Sequence, residues 1–193
     1  MPAGYGRNSD RVRPSVVENI LSHRTYLMSS YIATIAPMTS IDQQLETLGI
    51  QLPAPREPAF SYNAVVVDHG IAWVSGLLPW AGGKTELVHT GRLGKAVTLS
   101  EGQACARACI LNALAALKSA LGTLDDIERF LKLAGFVASE PGFNQQPVVI
   151  DAASRLLLEI FGDNGQHARS AVGVAELPRG APVEIELVAR TYS

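Results

Sequence analysis

Hydrophobic residues along the chain switch between two periods. From Ser61 to Gly76, SYNAVVVDHGIAWVSG places two β-branched runs around Asp68-His69-Gly70, which predicts a hairpin. From Leu99 to Leu121 the period becomes helical, with positions 104, 108, 111, 114, 115 and 117 giving one broad apolar face. Thr98 with Glu101 three residues on is a capping box that opens this helix, and Gly122 stops it. Residues 127–138, IERFLKLAGFVA, read as a strand, although their leading half could extend a helix. After a loop at 140–147, residues 148–161 read as a second helix ending at Gly162, and two short strands follow within 167–188. Upstream, Ile41, Leu45 and Leu48 fit a short helix over 39–50, with Ser40 or Asp42 as its cap. Three prolines in residues 52–58 break regularity, and residues 77–95, with glycines at 82, 83, 91 and 94, read as loop. The order hairpin, helix, strand, helix, two strands predicts an α+β fold, one mixed sheet with both helices on one face.

The last two strands, in HARSAVGVAELPRGAPVEIE, carry charges where buried sheet is expected. By the period of two, Val172 and Val174 share one face of the first, and Arg169, Ala171, Gly173 and Ala175 the other. In the second, Val183, Ile185 and Leu187 oppose Glu184, Glu186 and Val188. If the valine and leucine faces meet the helices, then Arg169, Glu184 and Glu186 project together from the opposite side. That side is either a solvated sheet face or a surface closed by another subunit around a small polar ligand. A simple hairpin would pair Glu184 near Val174, five residues and roughly 17 Å from Arg169. The two side chains would then share a small ligand only across a subunit boundary.

Composition narrows the chemistry. The 193 residues are 47% hydrophobic and 18% charged, with a net charge of −2, so there is no electrostatic case for nucleic acid or an anionic membrane. Cys105 and Cys109 sit four apart in the long helix with no histidine pair near them, and read as small core residues of a protein in a reducing cytosol, not as a zinc site. The histidines at 23, 69, 89 and 167 form no metal spacing, Gly82-Gly83-Lys84 lacks the context of a phosphate loop, and no Gly-x-Ser-x-Gly elbow occurs. No run reaches the ~18 apolar residues that span a bilayer. Residues 26–38 follow an Arg-rich, acid-poor stretch that allows a signal or transit function; the preferred reading makes residues 1–37 an unstructured extension or upstream start, with one domain over 38–193.

ARSAVGVAELP followed by VEIE resembles the C-terminal signature of the Rid family, the reactive intermediate deaminases or YjgF-type proteins. VSGLLP at 74–79 is similar to its serine-glycine segment, and Tyr62 stands where its active-site tyrosine is expected. The resemblance runs from about Ser61 to Arg190 and implies the fold of the Bacillus-type chorismate mutase. That fold is a homotrimer with ligand clefts between subunits, in which the last two strands are not sheet neighbours. It also implies hydrolysis of 2-imino acids and their enamine tautomers to 2-oxo acids and ammonia, without metal or organic cofactor. Arg169 then anchors the substrate carboxylate, as a guanidinium fork does bidentately. Glu184 positions or deprotonates the attacking water. Tyr62 and Ser75 are supporting polar groups of the cleft, and Glu186 is a candidate only for a structural role or for supporting the residues that touch the ligand. Two positions depart from the family pattern. Ala171 replaces a frequent cysteine, and Asp151 replaces an asparagine, where its charge could repel a substrate carboxylate unless paired or protonated. The loop 80–95 is also expanded. A trimer that binds small 2-oxo acids without turnover is the alternative, and chorismate mutase chemistry follows from fold similarity alone. Ribonuclease activity is disfavoured by the missing basic patch.

Overall fold

Two of the α-helices start where side chains supply partners for free backbone amides. Ser40 caps α1 (Ile41–Thr47): its hydroxyl accepts from the Gln43 amide, and the Gln43 side chain accepts from the Ser40 amide. Thr98 and Glu101 do the same for α2 (Leu99–Leu121), as the sequence predicts. The second predicted helix, α3 (Gln146–Phe161), begins two residues earlier than expected, with Pro147 in its first turn where a missing N–H costs nothing. The computed structural model describes residues 39–82 and 85–192; the expectation for residues 1–37 lies outside them. From Thr39 onward the chain forms one compact unit.

β1 (Val65–Asp68) and β2 (Ile71–Leu77) form the expected hairpin, turned by His69 at φ 47° and Gly70 at φ 73°, the two positive angles of a type I′ turn. β3 (Ile127–Ala138) is a strand throughout, including the half that could have been helix. β4 (Ala168–Val174) and β5 (Val183–Thr191) complete one sheet of order β1-β2-β5-β3-β4. Only β3 and β4 run parallel, joined by the crossover through α3. β4 and β5 therefore flank β3 on opposite sides, so the simple hairpin is replaced by the arrangement the family resemblance implies.

α2 and α3 pack on one face of the sheet. Ile110, Leu114 and Leu117 of α2 and Ile150, Leu156 and Leu157 of α3 close over Leu133, Ile185 and Leu187, all essentially inaccessible to water. The buried stripe of α2 is rotated from the predicted one: Ala104 is exposed, while Cys105 and Cys109 lie in the core as the expected small apolar residues. By length and composition α2 could cross a membrane; 56% of its most apolar window is buried within the fold. The opposite sheet face carries Trp73 beside Val66 and Val188, and Phe136 between Val172 and Glu184. Val66, Trp73 and Val172 are about half exposed there.

Candidate functional site

A slip in the sheet positions the first half of the site. Val74 pairs with Leu187, but Leu77 pairs with Ile185, so β2 carries one extra residue at Ser75-Gly76. Such a bulge bends the strand and re-aims its side chains. Gly76 has a steric role there. A Cβ on it would run into the Glu184 carboxylate, whose carbon lies 2.8 Å from that point, so Glu184 rests directly against the Gly76 backbone. Glu184 is half-buried on β5. Burial, and secondarily the Glu186 carboxylate, push its pKa above the usual 4.5. The Ser75 hydroxyl donates to the Asn63 carbonyl at 2.7 Å, which leaves its lone pairs for a ligand. Tyr62, Ser75, Gly76 and Glu184 line one cleft of about 310 Å³, walled by Phe60 and Trp80.

The second half lies elsewhere. Arg169 pairs with buried Leu133 in register and faces the helices, not the side from which Glu184 projects. Its Nη1 donates to Asp151 Oδ1 at 3.2 Å and to Ser154 Oγ at 3.1 Å, both on α3. Ala171, two residues on, packs against the core from the same side. The expectation that Arg169 shares a face with Glu184 and Glu186 is thus overturned, because α3 comes too close to β4 for valines. A Cβ on Gly173 would stand 2.8 Å from the Gln146 side chain, so Ala171 and Gly173 turn inward and Val172 outward.

Asp151 is paired, which removes the expected repulsion. It sits in the second turn of α3 and accepts from Arg155 Nε at 2.7 Å as well as from Arg169. The Arg155 hydrogen bond first, then that of Arg169, hold its carboxyl below the usual carboxylate range against the opposing effect of burial. With two guanidinium groups around one carboxylate the trio keeps a net positive charge.

Ser154 and His167 were missed in the sequence. The His167 Nδ1 lies 2.7 Å from the Gly165 carbonyl and must carry the proton, which leaves Nε2 to accept from the Ser154 hydroxyl at 3.0 Å. Ser154 Oγ in turn accepts from Arg169. Burial lowers the His167 pKa, which favours this neutral form. The chain of bonds holds the Arg169 guanidinium in place. Its sequence signal was a histidine two residues before the arginine, read only as one of four scattered histidines.

Tyr62, Ser75 and Glu184 therefore meet in one cleft, and Arg169, Asp151 and Ala171 meet on the other side of the sheet. Within one protomer the two groups do not come together. A family model described as "YjgF/chorismate_mutase-like, putative endoribonuclease" matches residues 42–189. The chain belongs to the Rid, or YjgF-type, family. Protein TCP17 of Trypanosoma cruzi is 47% identical over 145 residues, which are 74% of this Rid chain and 88% of that protein. The crystal structure of Atu1372 from Agrobacterium tumefaciens, a protein of unknown function, is 40% identical with a TM-score of 0.72, over 80% of this chain and 94% of that one. YyfA of Yersinia pestis, described as a protein of unknown function of the conserved Rid family, is 28% identical with a TM-score of 0.52, over 72% and 93% of the two chains.

Proposed function

We propose that this Rid protein is a homotrimer that hydrolyses small 2-imino acids, and enamines that tautomerise to them, at clefts between subunits. The observation that carries this reading is the position of Glu184: a half-buried carboxylate of raised pKa, seated against Gly76 beside Ser75 in an open cleft. A base for water needs that tuning toward neutrality. Arg169 stands on β4, the free edge of the sheet, and its two bonds run through Nη1. The Nε–Nη2 edge is left for a carboxylate of a substrate bound in the neighbouring protomer's cleft. The half-exposed Val66, Trp73 and Val172 on the open sheet face give the assembly an apolar surface to bury.

In this mechanism Arg169 of one protomer holds the substrate carboxylate and fixes C2 of the imine over Glu184 of the next. Glu184 takes a proton from water as the new C–O bond forms at C2 and the C=N electrons move to nitrogen. Glu184 returns that proton to the nitrogen, and a second proton from solvent makes it an ammonium leaving group. The C–N bond breaks as the new hydroxyl gives its proton to Glu184, so ammonia leaves, C2 becomes a carbonyl, and the proton on Glu184 returns to solvent. Ser75 and Tyr62 hydrogen-bond the heteroatoms at C2 through the change in geometry.

Asp151 on Arg169 favours a second reading, a trimer that binds 2-oxo acids without turnover, because it claims part of the anchor. The two part in a coupled assay. A threonine/serine dehydratase generates 2-iminobutanoate or 2-aminoacrylate, and imine loss is followed with wild type, Arg169→Ala and Glu184→Gln. Hydrolysis reads as imine loss faster than the uncatalysed rate, reduced about a hundredfold or more by either variant. Wild type at the uncatalysed rate leaves the binding reading.

A further inference from the structure

The Glu184 cleft is larger than a methyl or ethyl side chain needs, and Arg56, Glu57 and Arg179 line it away from Ser75. Trp80 lines it, and two arginines lie against the indole: the guanidinium carbon of Arg56 is 4.1 Å and that of Arg179 is 5.3 Å from the ring centroid. Both contacts fall within cation–π range. Arg179 reaches the cleft by an unusual backbone: it sits at φ 59°, ψ 17°, left-handed space that a non-glycine residue rarely holds, in the turn between β4 and β5. That turn is pinned by the Gly91 amide donating to the Gly180 carbonyl at 2.8 Å. Among the described residues Arg179 has no carboxylate within ion-pair distance, whereas Arg92 in the same region is paired with both Glu140 and Glu176. The ionisable lining of the cleft is Arg56, Glu57, Tyr62, Arg179 and Glu184.

Resting on the imine-hydrolase reading above, we propose that Arg179 selects substrates whose side chain ends in a second carboxylate. C2 lies over Glu184, the first carboxylate goes to Arg169 of the adjoining protomer, and the side chain runs along Trp80 to a guanidinium fork. Arg56, whose guanidinium also lies against Trp80, helps to hold the indole in place. The substrate class is thus 2-imino dicarboxylic acids, with 2-oxo dicarboxylic acids as products. The reaction that supplies them is the oxidation of an acidic amino acid to its imine.

Arg179 is a specificity residue, so its test is a ratio. Imines of glutamate, glutamine and norleucine, made by an amino-acid oxidase, are compared for kcat/KM with wild type, Arg179→Gln and Arg179→Lys. The carboxylate-tailed imine is favoured over its amide by tenfold or more in wild type. The ratio collapses toward one in Arg179→Gln and is partly kept in Arg179→Lys, which retains charge without the fork. Equilibrium binding of 2-oxoglutarate against 2-oxohexanoate, read by calorimetry on the same variants, needs no turnover. An Arg179-dependent preference in binding with no imine hydrolysis upholds the dicarboxylate site and sinks the hydrolase reading. Equal binding of both acids, or a preference that Arg179→Gln leaves intact in a folded trimer, overturns the inference.

Discussion

Glu184 depends on an absent side chain. Gly76 leaves room for its carboxylate against the backbone of the β2 bulge, and the resulting burial raises its pKa. The consequence for catalysis has a definite sign. A carboxylic acid cannot take a proton from water, so activity requires the ionised form, and a raised pKa shifts the onset of activity upward. With background hydrolysis subtracted, kcat/KM is expected to climb with pH through an inflection above 4.5, measured as initial imine loss across buffers of constant ionic strength. Glu184→Gln removes that limb. An inflection below 4.5 would place the base elsewhere. Arg169 and Glu184 were legible as a candidate pair because both are charges in strands with otherwise apolar periods. Gly76 was legible only as part of VSGLLP, because steric vacancy leaves no mark on composition. Arg179 and Trp80 were not singled out at all; a turn residue and a loop residue meet in space with no shared period to announce them.

At the level of elements, hydrophobic period and caps located each α-helix and strand of the described residues to within a few residues, but not the short 3-10 turns at Gly162–Gly165 and Pro178–Gly180. Thr98, Ser40 and Gly122 act locally, so their chemistry reads directly from sequence. Which face of β4 meets the helices did not. The expectation that large apolar residues turn inward fails at this edge strand, where α3 lies too close. The same tight approach occurs on β3. A Cβ on Gly135 would stand 2.6 Å from Ile150, and Ile150 is followed by Asp151, the Arg169 partner. Gly135→Ala is expected to lower unfolding free energy by about 1–3 kcal/mol through overpacking. Because α3 moves with Ile150, KM should rise more than kcat falls. Trimming the neighbour in Gly135→Ala/Ile150→Val should recover part of both, a coupling readable by denaturant unfolding and by kinetics. Additive effects of the two substitutions would mean that α3 does not seat Arg169 through this contact.

For the whole molecule, a fold of this size places its two charge groups on opposite sides of one sheet, and only assembly can bring them together. The proposed ring of three protomers would do so three times, each cleft taking Glu184 from one chain and Arg169 from its neighbour. From the spacing of the two residues the sequence reading inferred a subunit boundary. The distance argument rested on a hairpin that does not form; opposite faces of the sheet now impose the same separation.

The most direct test mixes two inactive proteins. Arg169→Ala and Glu184→Gln are each purified as trimers, then unfolded and refolded together in equal amounts, or co-expressed. In any mixed trimer one cleft of three joins an intact Arg169 to an intact Glu184, so random assembly predicts recovery to about a quarter of the wild-type imine hydrolysis rate. A mixture that assembles into trimers and stays as inactive as either parent would contradict a site shared between protomers.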